Sequence, residues 1–164
     1  MHEFIADEES NPILILSGMG RVIHTGNTPA KKRNAYIRTC AELLRLLAER
    51  AHFDDEEKDM AALFVFSLRG IYETIEHSAG VWDERNYWKR AETLRNDWLW
   101  SRKAADDLAD LIREEAWEEI PAMLMELFPR FQQVNISTIT RNADHWCGAL
   151  KALLESNEWQ NLNL

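Results

Sequence analysis

A chain of 164 residues that is 46% hydrophobic and 29% charged has the profile of one ordinary globular domain built on a single core. Its net charge of −9 and pI near 5.1 argue against a nucleic-acid binder or an anionic-membrane binder, since both need a dominant basic surface. The acidic start (Glu3, Asp7, Glu8, Glu9) has the wrong sign for a secretory signal, and no apolar run approaches about 18 residues, so a cytoplasmic protein is expected.

Residues 1–12 read as a disordered acidic segment. Ile13-Leu14-Ile15-Leu16-Ser17 and Arg21-Val22-Ile23-His24-Thr25 then flank Gly18-Met19-Gly20, the pattern of a short β-hairpin-like arm over 13–25. A lone hairpin is marginal in water, so the arm needs a surface to lie on or a second copy to pair with. The first helix is expected over 29–52, with Thr28 as its cap, Pro29 at the first position and a stripe of Ile37, Cys40, Ala41, Leu44, Leu47, Ala48 and Ala51. A second helix over 54–77 opens on Asp54 with Glu57 three residues later, a capping-box spacing, and Gly80 closes that unit.

Asp83 is placed as the cap of a long third helix over 84–115. Wound at about 100° per residue, this stretch carries two apolar faces, one of Tyr87, Ala91, Leu94, Trp98, Ala105, Leu108 and Ile112 and one of Trp100, Ala104 and Leu111. An outer helix of a bundle needs one stripe, so the third helix is either central or meets another chain. A fourth helix is expected over 118–134, its first turn holding Glu118, Glu119 and Pro121, with Pro129 kinking or ending it. A fifth spans 138–155 with Ile139, Ala143, Trp146, Cys147, Leu150, Leu153 and Leu154 as its stripe, and a frayed tail occupies 157–164. Cys40 and Cys147 both fall on apolar faces without zinc-finger partners and read as buried free thiols. The expected architecture is a single all-α domain, a bundle of about five helices preceded by the arm.

Three groups of residues are candidates for chemistry. Glu73-x-x-Glu76 on the second helix and Asp107-x-x-Asp110 on the third are paired carboxylates of the kind that hold Mg²⁺ or Mn²⁺. Their spacing resembles the helical MazG-type nucleotide pyrophosphohydrolases, whose second pair is Glu and Asp where this chain has Asp and Asp. That resemblance implies a divalent-metal-dependent hydrolase of a small phosphorylated compound. Helical winding, however, points both pairs away from the main apolar stripes, whereas metal sites in bundles project into the core, so a solvated acidic face is the preferred reading.

The second group, Lys31-Lys32-Arg33, sits in the first turn of the first helix, against its dipole. Residues 29–52 sum to +4 and residues 53–80 to −5, so charge complementarity between neighbouring helices is the simpler explanation, and an anion site is the functional alternative. The third is a strip of Trp88, Arg95 and Arg102 on the third helix, which with Trp100 and Leu111 forms a candidate interface. Gly18-Met19-Gly20 lacks the third glycine and the following helix of a dinucleotide site, and no serine or histidine has the neighbours of a catalytic triad. No cofactor is implied. The expected function is a helical protein-protein interaction or adaptor module that pairs with itself as a homodimer and contacts neither nucleic acid nor membrane.

Overall fold

The computed structural model describes residues 28–157, of which 78% are helical, with no strand among them. The described part of the chain is therefore all-α. The expected arm at 13–25, the acidic start and residues 158–164 lie outside the described residues.

Helix α1, Pro29–Ala48, begins as its sequence requires. The Thr28 hydroxyl accepts the Lys31 N–H at 3.2 Å and Pro29 occupies the first position. It stops short of the expected His52 because Arg50 turns toward α2, Asp55–Glu84, and meets Glu56 at 3.1 Å and Glu57 at 3.0 Å. Glu57 also accepts the Asp54 N–H at 3.0 Å, as its position three residues after the cap implies.

Helix α2 overruns its expected end. It passes through His77 and Gly80 to Glu84, so that Asp83, expected as the cap of the next helix, lies with Trp82 in its last turn. Burial of Trp82 outweighs the helix-weakening effect of Gly80. The stop is at Asn86, whose φ of 64° is left-handed. The Tyr87 N–H bonds to the Trp82 carbonyl at 2.8 Å and the Asn86 N–H to that of Asp83 at 3.0 Å, a Schellman turn closed by asparagine.

Helix α3, Trp88–Arg113, returns antiparallel to α2. Ala91, Leu94, Trp98, Ala105, Leu108 and Ile112 are buried as expected. Tyr87 is not. It precedes the first turn, lies edge-on to Trp82 at 5.7 Å and is 56% exposed. A second Schellman turn ends α3, with Glu115 at φ 56° and the Ala116 N–H bonded to the Leu111 carbonyl at 2.9 Å.

A 3-10 turn at Trp117–Glu119 leads into α4, Ile120–Phe131, which ends two residues after Pro129 instead of reaching residue 134. Ile120, Leu124, Leu127 and Phe131 face the core. The Phe131 ring is edge-on to Phe64 of α2 at 5.9 Å and to Trp100 of α3 at 5.7 Å, while Trp100 stacks on Trp98 at 5.9 Å. The second apolar face of α3 is thus covered within the chain: Ala104 is buried, and Trp100 and Leu111 pack against the core. Helix α2, which packs against α1, α3 and the two short helices that follow, is the central element, and α3 lies between α2 and α4.

The largest departure follows α4. The expected helix over 138–155 is replaced by an irregular strap along α1, a single turn α5 at Ala143–Trp146, and α6 at Ala149–Glu155. The cause is Glu42 on α1. Its carboxylate is fully buried, and a buried charge requires donors. It draws the backbone N–H and hydroxyl of Thr140, the N–H of Arg141 at 3.0 Å and the Arg38 guanidinium at 2.9 Å. Arg38 and Arg45 also donate to the carbonyls of Thr138 at 2.8 Å and Ile136 at 3.0 Å. Backbone groups that would have formed a helix are spent on α1. Because the chain breaks again at Gly148, with φ 83°, Cys147 is exposed rather than buried, whereas Cys40 is buried as expected.

Candidate interaction surface

The four carboxylates proposed for metal binding are all exposed on α2 and α3. Glu76 is engaged by Arg95 at 3.2 Å, Asp107 by Lys103 at 2.6 Å, and Asp110 stands 4.0 Å from Arg113. Among the described residues no group of three or more His, Cys, Asp or Glu side chains is gathered as a metal would need, so Glu73, Glu76, Asp107 and Asp110 do not converge.

The Lys31-Lys32-Arg33 run is split. Lys31 and Lys32 are exposed, while Arg33 turns inward and is 2% exposed. Its guanidinium donates to the Thr74 hydroxyl at 3.0 Å, the Thr74 carbonyl at 3.3 Å and the Ser78 hydroxyl at 3.1 Å, and lies 5.8 Å from the centre of the Trp98 ring. Helices α1 and α2 do pack together, but among the described residues the charge pairs joining them are those of Arg50 at the connecting turn; Arg38 and Arg45 serve the strap instead.

The interface candidates on α3 also separate. Trp100 and Leu111 belong to the packed interior. Arg95 bridges α3 to α2, bonding Asp83 at 2.8 Å as well as Glu76; the bond from Asp83, ahead of the burial that opposes it, holds its guanidinium more firmly protonated than usual. Arg102 lies 5.8 Å from the centre of the Tyr72 ring, so it too covers α2. Trp88 alone of the five projects freely, at 64% exposure.

The most apolar exposed helical face lies elsewhere, on α4. Met125 is 69% exposed and Phe128 48%, and with Pro121 they form a stripe about 100° around the helix from the buried one. Winding residues 120–131 would have found it, because Ile120, Leu124, Leu127 and Phe131 already fill one side and leave Met125 and Phe128 no place there. Leucine, methionine and phenylalanine alternate so closely in Met123-Leu124-Met125-Glu126-Leu127-Phe128 that the helix is apolar on two sides. Two large apolar side chains one turn apart can desolvate against a partner, and neither carries a hydrogen-bond donor or a titratable group.

No helix of the described residues is long and apolar enough to cross a membrane. No protein-family model matches this chain, and neither a curated protein nor a solved structure matches it.

Proposed function

We propose that the chain is a helical association module that pairs with a second copy of itself through the outer face of α4. The observation that carries this reading is the exposure of Met125 and Phe128 on a helix whose adjoining face is already committed to the core. An apolar helical face is complementary to itself under a two-fold axis, the commonest symmetry of soluble oligomers, and two copies of α4 crossing at Met125 and Phe128 would bury both rows at once. Both thiols are free, the usual state in a reducing compartment, which supports a cytoplasmic setting.

Sedimentation of the wild-type chain across micromolar concentrations tests the reading. A concentration-dependent dimer is expected, and Met125→Glu with Phe128→Glu converts it to a monomer of unchanged helicity, because both positions are outside the core. A wild-type chain that stays monomeric at high micromolar concentration overturns the reading.

A further inference from the structure

The end of the bundle where α1 starts is the same end at which α2 turns into α3. Arg33, four residues into α1, bonds Thr74 and Ser78, and Ser78 lies six residues, about 9 Å of helix, before the end of α2 at Glu84. The chain therefore enters the bundle at Thr28 at the same end as the corner formed by Arg85, Asn86, Tyr87 and Trp88.

That corner is unlike the rest of the surface. Tyr87 and Trp88 are two adjacent exposed aromatic rings; among the described residues Phe128 is the other exposed one. Lys89, Arg85 and Arg90 flank them, Arg90 lying 4.3 Å from the Trp82 ring centre, and Lys31 and Lys32 stand at the same end in the first turn of α1. Of the nearby acids, Asp83 is held by Arg95, which leaves Glu84 and Glu92. No carboxylate among the described residues pairs with Lys31, Lys32 or Lys89. A basic, aromatic corner thus caps one end of a chain whose net charge is −9. Lys31 and Lys32 oppose the dipole of their own helix, so their placement is not explained by helix stability.

We propose that this corner is the docking site of the chain's own first 27 residues. That segment has the complementary composition. Glu3, Asp7, Glu8 and Glu9 against a single Arg21 give it a charge of −3, and Phe4, Ile5, Ile13 to Leu16, Val22 and Ile23 supply apolar side chains. It is tethered at Thr28, at the same end of the bundle as the corner, and the 15 residues from Ile13 to Asn27 reach up to about 50 Å when extended, so the acidic start is within range. The apolar residues of 13–25 cover the Tyr87 and Trp88 rings, and the acids of 1–12 face Lys31, Lys32 and Lys89. Tethering makes the encounter intramolecular, with an effective concentration a free partner would have to match. The docking uses no residue of the outer α4 face, so it stands or falls apart from self-pairing.

Hydrogen exchange on the full-length chain tests it. In the wild type, amides of 13–25 are expected to exchange at least tenfold more slowly than in an unstructured peptide, independently of protein concentration. Tyr87→Ser with Trp88→Ser, or Lys31→Glu with Lys32→Glu and Lys89→Glu, is expected to abolish that protection while circular dichroism stays unchanged, because all five side chains are exposed. Adding Glu3→Lys, Asp7→Lys, Glu8→Lys and Glu9→Lys to the lysine variant restores it. Peptide-like exchange of 13–25 in the wild type, or protection that survives Tyr87→Ser with Trp88→Ser, overturns the proposal. Protection that grows with protein concentration overturns it too, by placing the segment on a second copy.

Discussion

Glu42 accepts both the backbone N–H and the hydroxyl of Thr140, a residue 98 positions later in the sequence. The pair fixes the strap to α1 and converts a buried charge into a structural anchor. Burial by itself raises the carboxyl's pKa, but the N–H groups of Arg141 and Thr140, the Thr140 hydroxyl and Arg38 more than offset this and hold it below the ordinary value. The folded pKa is thus lower than the unfolded one, near 4.3. The contribution to stability is complete above the unfolded value and is lost as pH falls through it and then through the folded one. Glu42→Gln should lower stability by about 2–3 kcal/mol at neutral pH, within the range for hydrogen bonds to a charged group. Thermal melts from pH 7 down to pH 3 should show the gap between wild type and variant narrowing in acid; a gap independent of pH would refute the assignment.

Two glycines inside α2 have different surroundings. A Cβ on Gly70 would stand 2.5–2.7 Å from three ring atoms of Tyr36, so the glycine is what lets α1 approach α2 there. A Cβ on Gly80 meets nothing within 4 Å. Gly80→Ala should stabilise by about 0.5–1 kcal/mol, the helix preference of alanine over glycine. Gly70→Ala should destabilise by about 1–2 kcal/mol through overpacking. In a Tyr36→Ala background the second substitution should become neutral or favourable, and a double-mutant cycle of denaturant midpoints reads the coupling.

Much of this fold is legible locally, and the parts that are not share a cause. Thr28-Pro29 and Asp54-x-x-Glu57 are short-range signals, and α1 and α2 start where they say. Helix ends proved less readable, because Asn86 and Glu115 take the left-handed role that a reader assigns to glycine, while Gly80 stays helical. The strap was missed because Ser137 to Arg141 has no helix-breaking residue; its backbone is claimed by Glu42 from another helix. Of the candidate interface, Trp88 was readable as an exposed aromatic, but the roles of Arg95 and Arg102 depended on which α2 residues lay opposite, and sequence does not state the register between helices. Met125 and Phe128 were hidden by richness: a helix with apolar residues on two sides does not announce which side is inside.

Asp59 and α6 supply a third test. The Asp59 carboxylate, on α2, accepts the Leu150 N–H at 2.9 Å and the Gly148 N–H at 3.3 Å, so the start of α6 is capped from another helix. Gly148 has no side chain to do this itself. Asp59→Ala should cost about 1–2 kcal/mol, as for loss of an ordinary helix cap, and should speed hydrogen exchange at Leu150 more than in α3. Asp59→Asn retains one acceptor oxygen and should fall between. Equal exchange changes throughout the chain would show that Asp59 acts on the whole fold and not on α6.

The cover that α4 gives to the second apolar face of α3 yields the sharpest prediction. Trp100 is sandwiched between Trp98 and Phe131, with the Arg130 guanidinium 4.8 Å from its ring centre, and Leu111 packs against the same core. Were that face an intermolecular contact, Trp100→Glu with Leu111→Glu would yield a folded monomer. With α4 covering the face, the pair instead places two carboxylates among aromatic and aliphatic side chains that offer them no donors beyond Arg130. Each substitution combines lost packing of about 2–5 kcal/mol with the cost of an ill-solvated charge, against a total stability of about 5–15 kcal/mol for a domain of this size. The double variant should therefore lose its helical circular-dichroism signal at neutral pH, whereas Met125→Glu with Phe128→Glu keeps it. A Trp100→Glu, Leu111→Glu chain that stays fully helical would show that α4 does not hold its place against α3 in solution.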